Sequence, residues 1–162
     1  MTRLQPLPLQ ELRLLGEGRT WTVEQSIAGL ASLTPVRGHV RALHHGTVLE
    51  VEGRADTIIT LCCDRCLQTY NHALSATARE LLEIKVAGPE EEEVLFAAED
   101  PVECLDPGGS FDPERWLFEQ LSLQLPLVNR CGPDCPGPPL PADDASGNGG
   151  GDPRWAALRS LR

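Results

Sequence analysis

The 162-residue sequence predicts an α+β fold: an antiparallel β-meander or partly closed, barrel-like sheet, with one main helix packed on it and a short C-terminal helix. Three observations lead to this fold class. Apolar and polar residues alternate through the middle of the chain, a β-branched run ends in a pair of cysteines, and one well-capped amphipathic helix follows later. A chain of this length holds one domain with a core of its own.

The first part of the chain is ambiguous between helix and strand. Residues 7–15 have a leucine-rich face that suits an edge strand or a helix. Residues 21–33 place apolar side chains at helical spacing behind a Thr22-x-x-Gln25 capping pattern, while Gly29 weakens the helix. We therefore expect a short helix or an irregular stretch there.

The middle of the chain predicts the meander. From Val36 the apolar spacing changes to two, and a tight turn at His45-Gly46 makes a hairpin. Residues 53–56 are expected to turn into the next strand, and alternation resumes after the cysteines. The predicted strands cover residues 36–44, 48–52, 57–61 and 70–86.

The main helix is predicted over residues 112–125. Asp112 caps its start, Pro113 takes the first helical position, and Pro126 ends it. Its broad apolar side is expected to lie on the sheet. The chain is divided accordingly into a β-rich domain at 1–135, a flexible linker rich in Gly, Pro and Asp at 136–151, and a short amphipathic helix at 152–162.

The formal charge of −10 lies entirely in the second half of the chain. Residues 1–88 hold nine basic and nine acidic residues, whereas residues 89–162 hold five and fifteen. This acidic balance is the opposite of the usual nucleic-acid footprint. The run Glu90, Glu91, Glu92 and Glu93 is expected to form either a solvated loop or a docking patch for a basic partner.

Membrane and catalytic signals are both missing from the sequence. It contains no apolar run of about 18 residues and no secretory segment, so we expect a cytoplasmic protein with no membrane partner. It also lacks a phosphate-binding loop, a nucleophile elbow and paired catalytic carboxylates. The expectation is a protein that is not an enzyme and takes no small-molecule substrate.

The cysteines carry the chemistry of this sequence. Cys63 and Cys66 follow a strand at a spacing that suits a metal-binding turn, and Cys131 and Cys135 form a looser pair after 64 intervening residues. If the pairs converge, they make a four-thiolate site for zinc; the alternatives are four small thiols or a redox pair. Cys62 is expected to point to the opposite face, into the core.

Arginines on the hairpin and the cysteine turn are the candidates for RNA contact. Arg37, Arg41, Arg54 and Arg65 lie on or beside these elements, and alternation puts Arg37 and Arg41 on one face. They form either a small phosphate-binding cluster or ordinary surface arginines that cover the sheet. Trp155 and Leu158, on the apolar side of the terminal helix, either dock on their own domain or bind a partner.

Four blocks of the sequence carry a family resemblance, at residues 33–38, 60–67, 131–137 and 152–158. They resemble the YceD family of large ribosomal RNA subunit accumulation proteins, in its cyanobacterial or plastid branch. The resemblance implies a non-enzymatic factor in large-subunit rRNA accumulation, processing or ribosome assembly. Its partners would be the pre-large ribosomal subunit, rRNA or a basic ribosomal protein. The alternative function is a structural zinc-binding adaptor with a protein partner outside the ribosome.

Overall fold

The structure, a computed structural model, describes residues 4–85 and 104–138. These residues form an α+β domain, as the sequence predicts, around one open five-stranded sheet that does not close into a barrel. In chain order the elements are β1 (Leu7–Pro8), α1 (Leu9–Leu14), β2 (Arg19–Gln25), β3 (Val36–His44), β4 (Val48–Cys62), β5 (Thr69–Ile84), β6 (Cys104–Leu105), β7 (Ser110–Phe111) and α2 (Pro113–Leu123).

The predicted meander is confirmed in strands β2 to β5, which are antiparallel neighbours in sequence order. Short β6 adds to the edge beside β5 in parallel, and β1 pairs with β7 in a separate two-stranded ribbon. The turn between β3 and β4 lies at His45-Gly46, where Gly46 has a φ of 91°. β4 and β5 pair over their whole length, so the cysteine turn is the tip of a long hairpin.

Two local predictions are wrong. The segment at the start of residues 21–33 is strand β2, because Trp21 and Val23 both point into the core and every residue of β2 pairs with β3. The expected turn at residues 53–56 is also absent, since these residues lie inside β4. Gly53 makes room for the Trp116 ring, which would lie 2.8 Å from a Cβ at this position.

The core lies between the inner face of the sheet and the two helices. Asp112 caps α2 by accepting hydrogen bonds from two backbone amides of the first turn, at 3.0 and 3.2 Å. Trp116, Leu117 and Leu121 then pack the helix onto the sheet. Glu80 of β5 accepts hydrogen bonds from Trp116 Nε1 at 2.7 Å and from Gln120 Nε2 at 2.9 Å. These polar bonds fix the rotation of α2 on the sheet.

Several predicted features lie outside the described residues. These are the acidic run at 90–93, the linker beyond Pro138 and the terminal helix with Trp155 and Leu158. Neither helix in the described ranges is long and apolar enough to cross a membrane.

Candidate metal centre

The first cysteine pair lies in the turn that joins β4 to β5. Cys63 N donates to Gln68 O at 2.8 Å, and Leu67 N donates to Cys63 O at 2.9 Å, which closes a tight loop around Cys66. Leu67 has a φ of 62°, the left-handed conformation that favours glycine. A leucine held in this conformation shows that the surrounding turn imposes its shape on the chain.

The second pair lies on the irregular chain that follows α2, and Asp64 fixes its position. Asp64 N donates to Asn129 O at 2.9 Å, and Asn129 N donates to Asp64 Oδ2 at 2.7 Å. A further turn closes where Cys135 N donates to Gly132 O at 3.3 Å. Two loops far apart in sequence are therefore joined by reciprocal hydrogen bonds beside the thiols.

The four cysteines meet at this junction, which confirms their predicted convergence. All four Sγ atoms of Cys63, Cys66, Cys131 and Cys135 lie within 4.8 Å of one another. The Sγ atoms of Cys63 and Cys135 are 3.8 Å apart, and those of Cys66 and Cys131 are 3.7 Å apart. A tetrahedron of four zinc–sulfur bonds of about 2.3 Å has edges of about 3.8 Å. The donor set and its spacing fit zinc.

The pKa values of the thiols differ in a way that favours a bound cation. Backbone amides of Cys66 and Arg65 hydrogen-bond to the Cys63 sulfur and lower the pKa of Cys63 to about 6. The neighbouring Cys135 thiol and burial raise the pKa of Cys131 to about 12. Cys63 thus deprotonates readily, whereas its negative charge disfavours deprotonation of the neighbouring thiols. A cation at the centre would neutralise this charge and favour the remaining thiolates.

Comparison with known proteins identifies the family. The family described as Large ribosomal RNA subunit accumulation protein YceD matches residues 51–162, a stretch that includes both cysteine pairs. The chain belongs to the YceD family. No curated protein and no solved structure matches the sequence.

A fifth cysteine of this YceD chain lies beside the cluster but not in it. Cys62 is exposed, so its predicted place in the core is wrong. Alternation does put Cys62 and Cys63 on opposite faces, but it is Cys63, a member of the cluster, that lies on the buried inner face. The Cys62 thiol donates a weak hydrogen bond to Leu67 O at 3.4 Å.

Three of the four predicted RNA-contacting arginines share the outer face of the YceD sheet. Each forms an ion pair with a carboxylate, at 3.3 Å for Arg37, 3.5 Å for Arg41 and 3.4 Å for Arg54. Arg65 is apart from them, beyond the end of β4 and about 25 Å along the strand direction from Arg54. Its guanidinium lies against Gly137, next to the second cysteine pair.

The outer face also holds two polar residues, His39 of β3 and Thr77 of β5, that the sequence reasoning did not assign to this surface. They flank the predicted Arg54 of β4 as its direct neighbours across the strands. With Arg79 and Glu52 they line a groove of about 540 Å³. The signal that could have found them is the same alternation that put Arg37 and Arg41 on one face, extended to the paired strand β5.

Proposed function

We propose that this YceD-family chain is a cytoplasmic, non-enzymatic factor that supports the accumulation of large-subunit rRNA, through rRNA processing or assembly of the subunit. The observation that carries the proposal is the family match over residues 51–162. The chemistry of the cysteine cluster supports a role without catalysis. Four thiolates complete a tetrahedral site and leave no coordination position for a substrate.

We further propose that Cys63, Cys66, Cys131 and Cys135 hold a structural zinc ion. Four sulfur ligands at tetrahedral spacing suit zinc or an iron–sulfur centre, and zinc needs no redox partner. When bound, zinc supplies a cross-link between the tip of the β4–β5 hairpin and the chain after α2. The Asp64–Asn129 hydrogen bonds hold the two loops in place for this link.

Two kinds of ribosomal partner fit the chain, and each has its own surface. For rRNA, the outer sheet face offers Arg37, Arg41 and Arg54, whose exposed ion pairs contribute only about 0–1 kcal/mol and can be exchanged for phosphate. For a basic ribosomal protein, the acidic run at residues 90–93 supplies long-range attraction.

The RNA surface has a direct test in the salt dependence of binding. Each phosphate contact contributes nearly one unit to the slope of log affinity against log salt, so R37Q/R41Q should reduce the slope by about two. R13Q, which changes an arginine on α1 away from this face, is the matched control. An unchanged slope in the double variant rejects the outer face as the RNA site.

The alternative function is a zinc-binding adaptor with a protein partner outside the ribosome. It is favoured by the ion pairs on the outer face, because each candidate RNA-contacting arginine there already faces a carboxylate. This pairing leaves little net positive charge to attract a phosphate backbone.

Removal of the protein from its own cells separates the two functions. The proposed function predicts a lower ratio of mature large-subunit rRNA to small-subunit rRNA, restored when the wild-type chain is supplied. The adaptor function predicts an unchanged ratio. Supply of C66S, with C62S as the matched control, then shows whether the rRNA effect requires the cysteine cluster.

A further inference from the structure

An exposed apolar strip connects the end of α2 to the cysteine cluster. It consists of Leu123, Leu125, Leu127 and Val128, all exposed to solvent. Single exposed apolar residues are ordinary on a protein surface, whereas four of them within six residues of sequence suit a place where something binds. Asn129, the next residue, is bonded to Asp64, so the end of the strip is held rigidly beside the thiols.

We propose that this apolar strip is the docking site for the C-terminal segment of the same chain, residues 152–162. That segment lies outside the described residues, and its sequence supplies a matching partner. Asp152-Pro153 is a helix-start signal, and Trp155, Leu158 and Leu161 follow at helical spacing. An amphipathic helix of this kind places a few apolar side chains on an apolar surface.

The path of the chain supports an intramolecular contact. The described chain ends at Pro138, three residues after Cys135 of the cluster, and the strip ends at Val128, three residues before Cys131. The 13 residues from 139 to 151 are rich in Gly, Pro and Asp. A Gly-rich chain of that length has a root-mean-square span of about 20 Å. The strip from Leu123 to Val128 is at most about 20 Å long, so the segment reaches all of it.

Tethering makes this occupant favoured over others. A covalent connection of this length gives the segment an effective concentration of about the millimolar range, so a weak apolar contact is sufficient for occupancy. A partner protein or a second copy of the chain must reach the same strip from dilute solution. The inference concerns the chain alone and does not depend on the proposed ribosomal role.

Trp155 gives a specific readout in the full-length chain. The other two tryptophans, Trp21 and Trp116, are only 4% and 5% exposed. Acrylamide quenching therefore reports mainly on Trp155, and ¹⁹F NMR of fluorotryptophan-labelled protein resolves it, with W155F for assignment. We expect Trp155 to be protected in the wild type, with a quenching constant several-fold below that of free tryptophan.

Substitutions on each side of the contact test its location. L127D should expose Trp155, L158D should do the same, and the double variant should give no further change. L14D, at another strongly exposed leucine on α1, is the control and should leave Trp155 protected. Leu127 is fully exposed, so L127D is not expected to disturb the fold, and circular dichroism verifies this.

Three results would overturn the inference. If Trp155 in the wild type is as accessible to acrylamide as free tryptophan, the segment does not occupy the strip, and a partner protein becomes the expected occupant. Protection that survives L127D would place the segment elsewhere. Protection that is lost on dilution would assign the strip to a second copy of the chain.

Discussion

The strained leucine in the cysteine turn leads to an unusual prediction, that a substitution to glycine stabilises the protein. Leu67 is the one non-glycine residue with a positive φ in the described ranges, and its side chain is 65% exposed. The left-handed conformation costs a leucine about 1–2 kcal/mol, and L67G removes this strain. Glycine loses about 0.5–1 kcal/mol of that gain through the greater entropy of the unfolded chain. The free energy of unfolding should therefore rise, by up to about 1.5 kcal/mol.

Leu81 provides the matched control, because it is similarly exposed at 62% but lies in strand β5. L81G should lower the free energy of unfolding by about 0.5–1 kcal/mol, since glycine weakens a regular strand. L67A should have little effect, because alanine retains the strain. Urea denaturation with saturating zinc, monitored by tryptophan fluorescence, measures all three variants. A loss of stability in L67G equal to that in L81G would refute the assignment of strain to the turn.

Three further predictions concern the fold and the cysteine cluster. E80A removes the carboxylate that accepts hydrogen bonds from Trp116 and Gln120. It should lower the free energy of unfolding, measured in urea, by about 2–4 kcal/mol. A loss below about 0.5 kcal/mol would contradict the role of this contact. C66S should abolish zinc binding in native mass spectrometry while C62S retains one zinc per chain, and equal zinc content in both would contradict the assigned ligands. Burial lowers the pKa of His44 below its usual 6.5, so the unfolded chain binds a proton at a higher pH than the folded chain does. The free energy of unfolding should therefore decline as the pH falls through and below about 6.5. H44Q should flatten this decline in denaturation curves, and an unchanged pH profile would contradict the role of His44.

The strands of the meander and helix α2 could be predicted because local patterns determine them. Alternation over residues 36–44 continues without interruption, and Asp112 and Pro113 specify where α2 begins. The convergence of the two cysteine pairs was also predictable, because soft ligands in a tight turn need partners. These features depend on neighbouring residues or on one simple chemical requirement.

Other features depend on contacts between distant parts of the chain, and for these the predictions from sequence were wrong or incomplete. Val23 begins a set of apolar residues at helical spacing, but pairing with β3 makes it part of strand β2. Gly53 is typical of a turn, yet it lies in a strand, where the absence of a side chain leaves space for the Trp116 ring of α2. Cys62 faces solvent because Cys63, a member of the cysteine cluster, occupies the inner side of the turn. Arg65 contacts the second cysteine loop, which no local pattern in β4 could indicate.

Cosedimentation with pre-large-subunit particles tests the central claim most directly. A cell extract is separated on a sucrose gradient at low salt, and the full-length chain is detected in each fraction. The account predicts that the protein sediments with the precursors of the large subunit and that high salt releases it. A protein that stays at the top of the gradient at low salt, with intact precursor particles in the lower fractions, would contradict a role in large-subunit assembly.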